Sequence, residues 1–133
     1  MDVYEFLARP LVARVAAAGP SVRPVWFLWE DGAFWWLTGS YSRLGRIVAG
    51  EPRMALVVDT CDLSSGQVLS VTCRGTALLV PLDRARAVRK LTRYLGPGQE
   101  AWPSRFSAGL DDPKTAMVRF TPDRPPKLRD LSW

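Results

Sequence analysis

Asp31-Gly32 is the dipeptide favoured by a two-residue type I′ turn. The flanks, Val25 to Trp29 and Ala33 to Thr38, are dense in aromatic and apolar side chains. Together they predict a tight antiparallel hairpin. A two-residue loop sets the register: Trp29 faces Phe34, Leu28 faces Trp35, Phe27 faces Trp36, Trp26 faces Leu37 and Val25 faces Thr38. Both faces of this hairpin are apolar, and a chain of 133 residues has little left to cover the second one. A second subunit is the natural cover, so a homodimer is expected. Pro24 lacks an N–H, which puts its end of the strand at a sheet edge or a bulge, with backbone groups free for a ligand.

The rest of the chain supplies partners for the hairpin. Leu11 to Ala18 alternates as a strand, with helix as the competing reading because of its alanines. Arg53 to Thr60 and the long run Val68 to Val80 read as strands, the second bent at Gly75, and Thr115 to Thr121 reads as the last clear one. Asp2 caps a short helix ending before Pro10. Asp83 and Gly96 bracket a longer helix, Arg84 to Leu95, with a stripe of Val88, Leu91 and Leu95 and solvent-facing Arg86, Arg89 and Arg93. Glu100 to Ser107 carries Trp102 and Phe106 at helical spacing, and Trp102 is held open as a ligand neighbour. About six strands joined mostly by antiparallel turns, with helices after the third and fifth, predict a mainly β, single-domain barrel spanning residues 1–133.

Composition excludes several chemistries. With no histidine, Ser-His-Asp and Cys-His catalysis have no base, and Cys61 and Cys73 lack metal-ligand spacing and are expected as buried free thiols. No metal site is expected. The net charge of +5 is spread along the chain, which favours a specific anionic ligand over nucleic acid. No apolar run long enough for a membrane span occurs and the N-terminus opens on acids, so a cytoplasmic protein is expected. An enzyme built from this chain would rely on a cofactor for its reaction.

The candidate site follows the hairpin. Thr38, Gly39, Ser40 and Ser42 offer donors at the start of a short helix carrying Leu44, Ile47 and Val48, while Arg43 and Arg46 stand one turn apart on it. That is a phosphate-binding pattern, although an ordinary capped helix with solvated arginines accounts for the same residues. The six tryptophans suit core, interface or stacking roles.

The stretch PVWFLWEDGAFWWLTGSYSRLGRIVAGEPRMALVVD, Pro24 to Asp59, resembles the FMN-binding split β-barrel family typified by pyridoxamine 5′-phosphate oxidase. The ending Arg119-x-x-Pro122-x-Arg124 is similar to that of its deazaflavin (F420) branch in actinobacteria. The resemblance implies a six-stranded antiparallel split barrel, a homodimer, and FMN, or alternatively F420, bound between subunits. The cofactor ring would lie along Pro24, Val25, Trp26 and Phe27. Thr38, Ser42 and Arg43 match the family's T…S-R-K phosphate pattern, whose lysine is replaced by Leu44. The activity implied is hydride transfer to or from a small molecule. The alternative is a split barrel that binds a cofactor without catalysis, or binds none.

Overall fold

The computed structural model describes residues 1–39 and 42–132. Helix α1 (Val3–Leu7) opens on a reciprocal cap: Asp2 accepts from the Glu5 N–H at 2.8 Å, and Glu5 accepts from the Asp2 N–H at 3.2 Å. Phe6 and Leu7 point inward, and Tyr4 is exposed.

The described residues form eight strands: β1 (Val12–Ala17), β2 (Ser21–Trp26), β3 (Leu28–Glu30), β4 (Ala33–Thr38), β5 (Arg53–Asp62), β6 (Gln67–Pro81), β7 (Ala116–Pro122) and β8 (Arg129–Asp130). Six were expected. The two extra strands arise because the second splits at Phe27 and the tail adds β8 against β6. All pairings are antiparallel, in the order β2-β1-β5-β6-β7-β4-β3. The two ends of that order, β2 and β3, are consecutive in the chain. The sheet therefore curls until its edges meet at Phe27, giving a mainly β split barrel with a few helices.

Two of the five expected hairpin pairs form, and Glu30–Ala33 closes the turn beside them. Leu28 pairs with Trp35, Trp29 with Phe34 and Glu30 with Ala33, around Asp31 and Gly32, both at positive φ as a type I′ turn requires. The expected pairs Phe27–Trp36, Trp26–Leu37 and Val25–Thr38 do not form. Instead β2 pairs with β1, Val12 opposite Trp26 through Ala17 opposite Ser21. The Tyr94 hydroxyl stands at the fork. It accepts from the Phe27 N–H at 3.1 Å and donates to the Leu11 carbonyl at 2.6 Å, so the backbone is satisfied where the strands part.

Gly75 makes the curl sterically possible. Strand β6 pairs with β5 over Gln67–Thr76 and with β7 over Gly75–Pro81, changing partners at this residue. A Cβ there would collide with the Thr121 carbonyl oxygen and approach Phe120 Cζ and Pro122 Cα to 2.9 Å.

Two apolar cores result. Phe6, Val15, Phe27, Phe34, Trp36, Leu56, Val71 and Phe120 fill the inside of the curl. On the other face of β3, β4 and β7, Leu28, Trp35 and Met117 pack against Ala87 and Leu91 of α3 (Arg84–Leu95), Trp102 and Leu110 of α4 (Ser104–Asp111). Helices of the same chain thus cover the hairpin's second face, for which a second subunit had been expected.

Helix α3 has the expected bounds, capped by Asp83 and ended at Gly96. Its arginines do not simply face solvent. Arg86 reaches Glu30 at 2.8 Å and Asp31 at 2.9 Å while lying 3.9 Å over the Trp35 ring, and Arg89 also pairs with Glu30. The acids at the hairpin tip draw them in: the Arg89 hydrogen bond, aided by the charges of Arg89 and Arg86, holds the Glu30 carboxyl below its ordinary value. Pro103 interrupts the helix expected over Glu100 to Ser107, leaving a 3-10 turn at Gln99–Ala101 before α4. Cys73 is buried as expected, whereas Cys61 is exposed near the end of β5. No helix among the described residues is long and apolar enough to cross a membrane.

Candidate functional site

Where β2 and β4 fail to pair, they leave a cavity of about 1070 Å³. One wall is Arg23, Pro24, Val25 and Trp26 of β2. The facing wall is Trp36, Leu37, Thr38 and Gly39 at the end of β4. Lys90 and Leu91 of α3 and Arg105, Phe106 and Gly109 of α4 lie over it. Trp26 is held rigidly as the middle ring of a stack, 4.6 Å from Tyr94 at 4° and 5.4 Å from Phe106 at 10°.

The polar groups on these walls are mostly donors without acceptors. Among the described residues, Arg23 Nε, Trp36 Nε1 and Thr38 Oγ1 are buried and have no hydrogen-bond partner. Such a group costs about 1–3 kcal/mol when nothing satisfies it. Ser42 Oγ accepts from Arg23 Nη1 at 2.6 Å and from the Leu44 N–H at 3.1 Å, leaving its own proton to donate. Three cations, Arg23, Lys90 and Arg105, line the cavity against one carboxylate, Asp112. Asp112 is exposed and accepts from the Lys114 N–H at 2.9 Å. An aromatic slot with surplus donors and positive charge fits a flat ligand rich in acceptor oxygens and bearing an anion.

The expected site residues divide. Pro24, Val25, Trp26, Thr38, Gly39 and Ser42 line the cavity. Phe27 does not, being enclosed in the inner core with its N–H taken by Tyr94. Arg43 and Arg46 are exposed and outside the cavity wall. Arg43 stands at the cap position of α2 (Leu44–Gly50) without a side-chain capping bond, and Ser42, one residue earlier, accepts from the Leu44 N–H. Leu44 is buried in the inner core. Ser40 lies outside the described residues.

Trp102, held open as a ligand neighbour, is buried away from the cavity, with its indole N–H on the Gly96 carbonyl at 2.9 Å. Phe106 takes that place. Sequence reasoning also passed over Arg23 and Lys90. The signals were there: Arg23 shares a strand face with Val25, and Lys90 falls with Ala87, Leu91 and Tyr94 on one helical face. Among the described residues no cluster of three or more His, Cys, Asp or Glu is placed to hold a metal ion.

Comparison with known proteins returns a consistent picture. Comparison with curated proteins found no match. In fold, the chain is similar to a conserved hypothetical protein of Mycobacterium tuberculosis (TM-score 0.73, 20% identity, 99% of this chain and 85% of that one). It is similar also to an F420 reductase (TM-score 0.64, 22% identity, 94% of each chain). A third likeness is to an FAD-binding protein of Mesorhizobium loti (TM-score 0.68, 19% identity, 97% of this chain and 92% of that one). The sequence profile described as pyridoxamine 5′-phosphate oxidase matches residues 1–125. The chain therefore belongs to the pyridoxamine 5′-phosphate oxidase family, with a split β-barrel whose split forms the cavity.

Proposed function

We propose that the chain binds a flavin or deazaflavin in the split and uses it as an oxidoreductase on a small molecule, with FMN the first candidate and F420 the second. The observation that carries this is that Arg23, Trp36 and Thr38, all lining one aromatic cavity, each keep a buried polar atom with no partner among the described residues. Arg23, Ser42 and Thr38 would hold a phosphate, with Arg23 fixed in place by its 2.6 Å bond to Ser42. The edge of β2 at Pro24, Val25 and Trp26 would lie beside the ring, and Trp36 would donate to a ring oxygen or nitrogen. When bound, such a cofactor supplies the hydride donor or acceptor that no side chain can provide. Arg43 and Arg46 would meet only the parts of a ligand that project past the mouth. The similar folds of an F420 reductase and an FAD-binding protein support the reading.

A homodimer belongs to the proposal. Leu78 and Leu79 stay exposed on β6, and the Leu79 side chain comes within 3.5 Å of where a Gly45 Cβ would stand on α2, so a second copy would cover apolar surface beside the site. Sedimentation of the purified protein reads this directly.

Fluorescence titration with FMN and with F420 tests the cofactor. Losing a charge-assisted hydrogen bond costs about 1.5–3 kcal/mol, so Arg23→Ala should weaken binding about ten- to hundredfold and Arg43→Ala no more than about threefold. The reading falls if neither cofactor binds or raises the melting temperature. Burial of Leu44, where the family pattern has lysine, favours a second reading: a barrel that binds the cofactor without turnover. Tight binding with no oxidation or reduction of the bound cofactor by any tested substrate would select it.

A further inference from the structure

Lys90 is a buried residue whose charge nothing among the described residues answers. It is 4% exposed and lines the cavity, and among the described residues no hydrogen bond or ion pair reaches its ammonium group. Its neighbours on α3 are committed elsewhere: Arg86 and Arg89 to Glu30, Arg93 to the Leu7 carbonyl, Tyr94 to the fork of the strands. Across the cavity stand Arg23 from β2 and Arg105 from α4, both like-charged. Asp112, the one carboxylate on the wall, is exposed and engaged with the Lys114 N–H. An ammonium group enclosed this way pays heavily for lost water unless an anion from outside the chain joins it.

Lys90 also stands apart from the Arg23 group. Arg23 precedes Phe27 by four residues, which places it about 13 Å along the strand from the fork. Lys90 sits one helical turn before Tyr94, whose hydroxyl holds that fork. Along the chain Lys90 is thus tied to the fork and Arg23 lies away from it.

We infer that Lys90 anchors a second anionic group at the fork end of the cavity, so that the small molecule taken there is an apolar or aromatic acid. This rests on the cofactor reading only in calling that molecule the substrate; the preference for an anion is a property of the cavity alone. Burial lowers the lysine from its ordinary 10.5 to about 8, and pairing with an anion restores the charged form.

The probe is 8-anilino-1-naphthalenesulfonate, compared with uncharged N-phenyl-1-naphthylamine, which has the same rings without the sulfonate. Both are titrated by fluorescence into the purified full chain. Wild type should favour the sulfonate about ten- to hundredfold over Lys90→Met, with the uncharged probe binding both alike. From pH 7 to 9.5 the wild-type affinity for the sulfonate should fall about thirtyfold, because the free lysine loses its proton before the paired one does. Lys90→Arg should keep its affinity across that range, since guanidinium stays charged. Equal sulfonate binding and equal pH profiles in wild type and Lys90→Met would overturn the inference.

A second arm separates the sources of the anion. If Lys90→Met weakens FMN binding as much as Arg23→Ala does, Lys90 holds the cofactor and the substrate assignment fails. If neither FMN nor F420 binds the wild type while the sulfonate preference persists, the proposed function fails and the Lys90 anion site stands.

Discussion

The same two stretches of chain are zipped at one end and split at the other. From Leu28 to Trp35, β3 and β4 pair around a tight turn, and Arg86, Arg89, Glu30 and Asp31 close the tip. From Arg23 to Thr38, β2 and β4 diverge; among the described residues the walls keep Arg23 Nε, Trp36 Nε1 and Thr38 Oγ1 without partners, and Lys90 carries a charge weakened by burial. Apolar content does not separate the two ends, since both are rich in tryptophan. The difference lies in whether polar groups find partners within the chain. Where they do, the region gains stability; where they do not, the fold carries a cost that a bound ligand would offset.

The contrast makes opposite signs of mutational effect the decisive test. The largest effect belongs to the closed sheet: Gly75→Ala drives a methyl into the Thr121 carbonyl and should cost about 4 kcal/mol or prevent folding, as urea denaturation would show. A mild loss there would mean that the curl does not depend on this close approach. Next, in the split, Lys90→Met should gain stability, about 3 kcal/mol at pH 7, because a lysine lowered from 10.5 to about 8 is destabilising while charged.

The sign follows from proton binding. Between pH 8 and 10.5 the unfolded chain holds the Lys90 proton and the folded one does not, so wild-type stability from this group rises with pH. The advantage of Lys90→Met should therefore shrink across that window. Cys73 acts in the opposite sense, since burial raises its thiol from 9.0 to about 11 and its contribution is lost as pH climbs between those values. It is common to both proteins and cancels in their difference. A gap independent of pH would remove Lys90 as its cause.

At the fork itself, Tyr94→Phe strips the partner from the Phe27 N–H and the Leu11 carbonyl, and should lose about 2 kcal/mol. Exchange of the Phe27 amide proton with solvent should quicken as well. The smallest effect is Thr38→Val, which deletes a hydroxyl with no partner among the described residues and should be neutral or stabilising by about 1 kcal/mol in denaturation, while weakening FMN. A clear loss of stability would show that the hydroxyl is satisfied in the folded protein and that the split is less open to a ligand than its donors imply.

Much of the frame was legible because its causes are local. The Asp31-Gly32 turn, the Asp2 cap, the bounds of α3 and the bend at Gly75 each depend on a few neighbouring residues, and each stands where the pattern put it. The split was not legible. Pro24 marked a sheet edge, and β2 is one, but the apolar run from Val25 to Trp29 carries no sign that it must change partners at Phe27. That change is imposed by Tyr94, 67 residues further on. The same distance hid Lys90 and Arg86: one is enclosed and the other drawn to the hairpin by what α3 packs against, and an arginine or lysine on a helix face carries the same pattern in either case.

The sequence by itself determined the units: a hairpin turn, alternating strands, capped helices, a family likeness and the lack of histidine. Tertiary structure decided which units face each other, and with that which donors are left without acceptors. The physical reason is that turn geometry and periodicity are properties of adjacent residues, whereas burial of a charge or a lone hydroxyl is a property of space closed by distant ones. Arg23, Thr38, Trp36 and Lys90 come to line one cavity only because β2 and β4 part and α3 and α4 roof the gap.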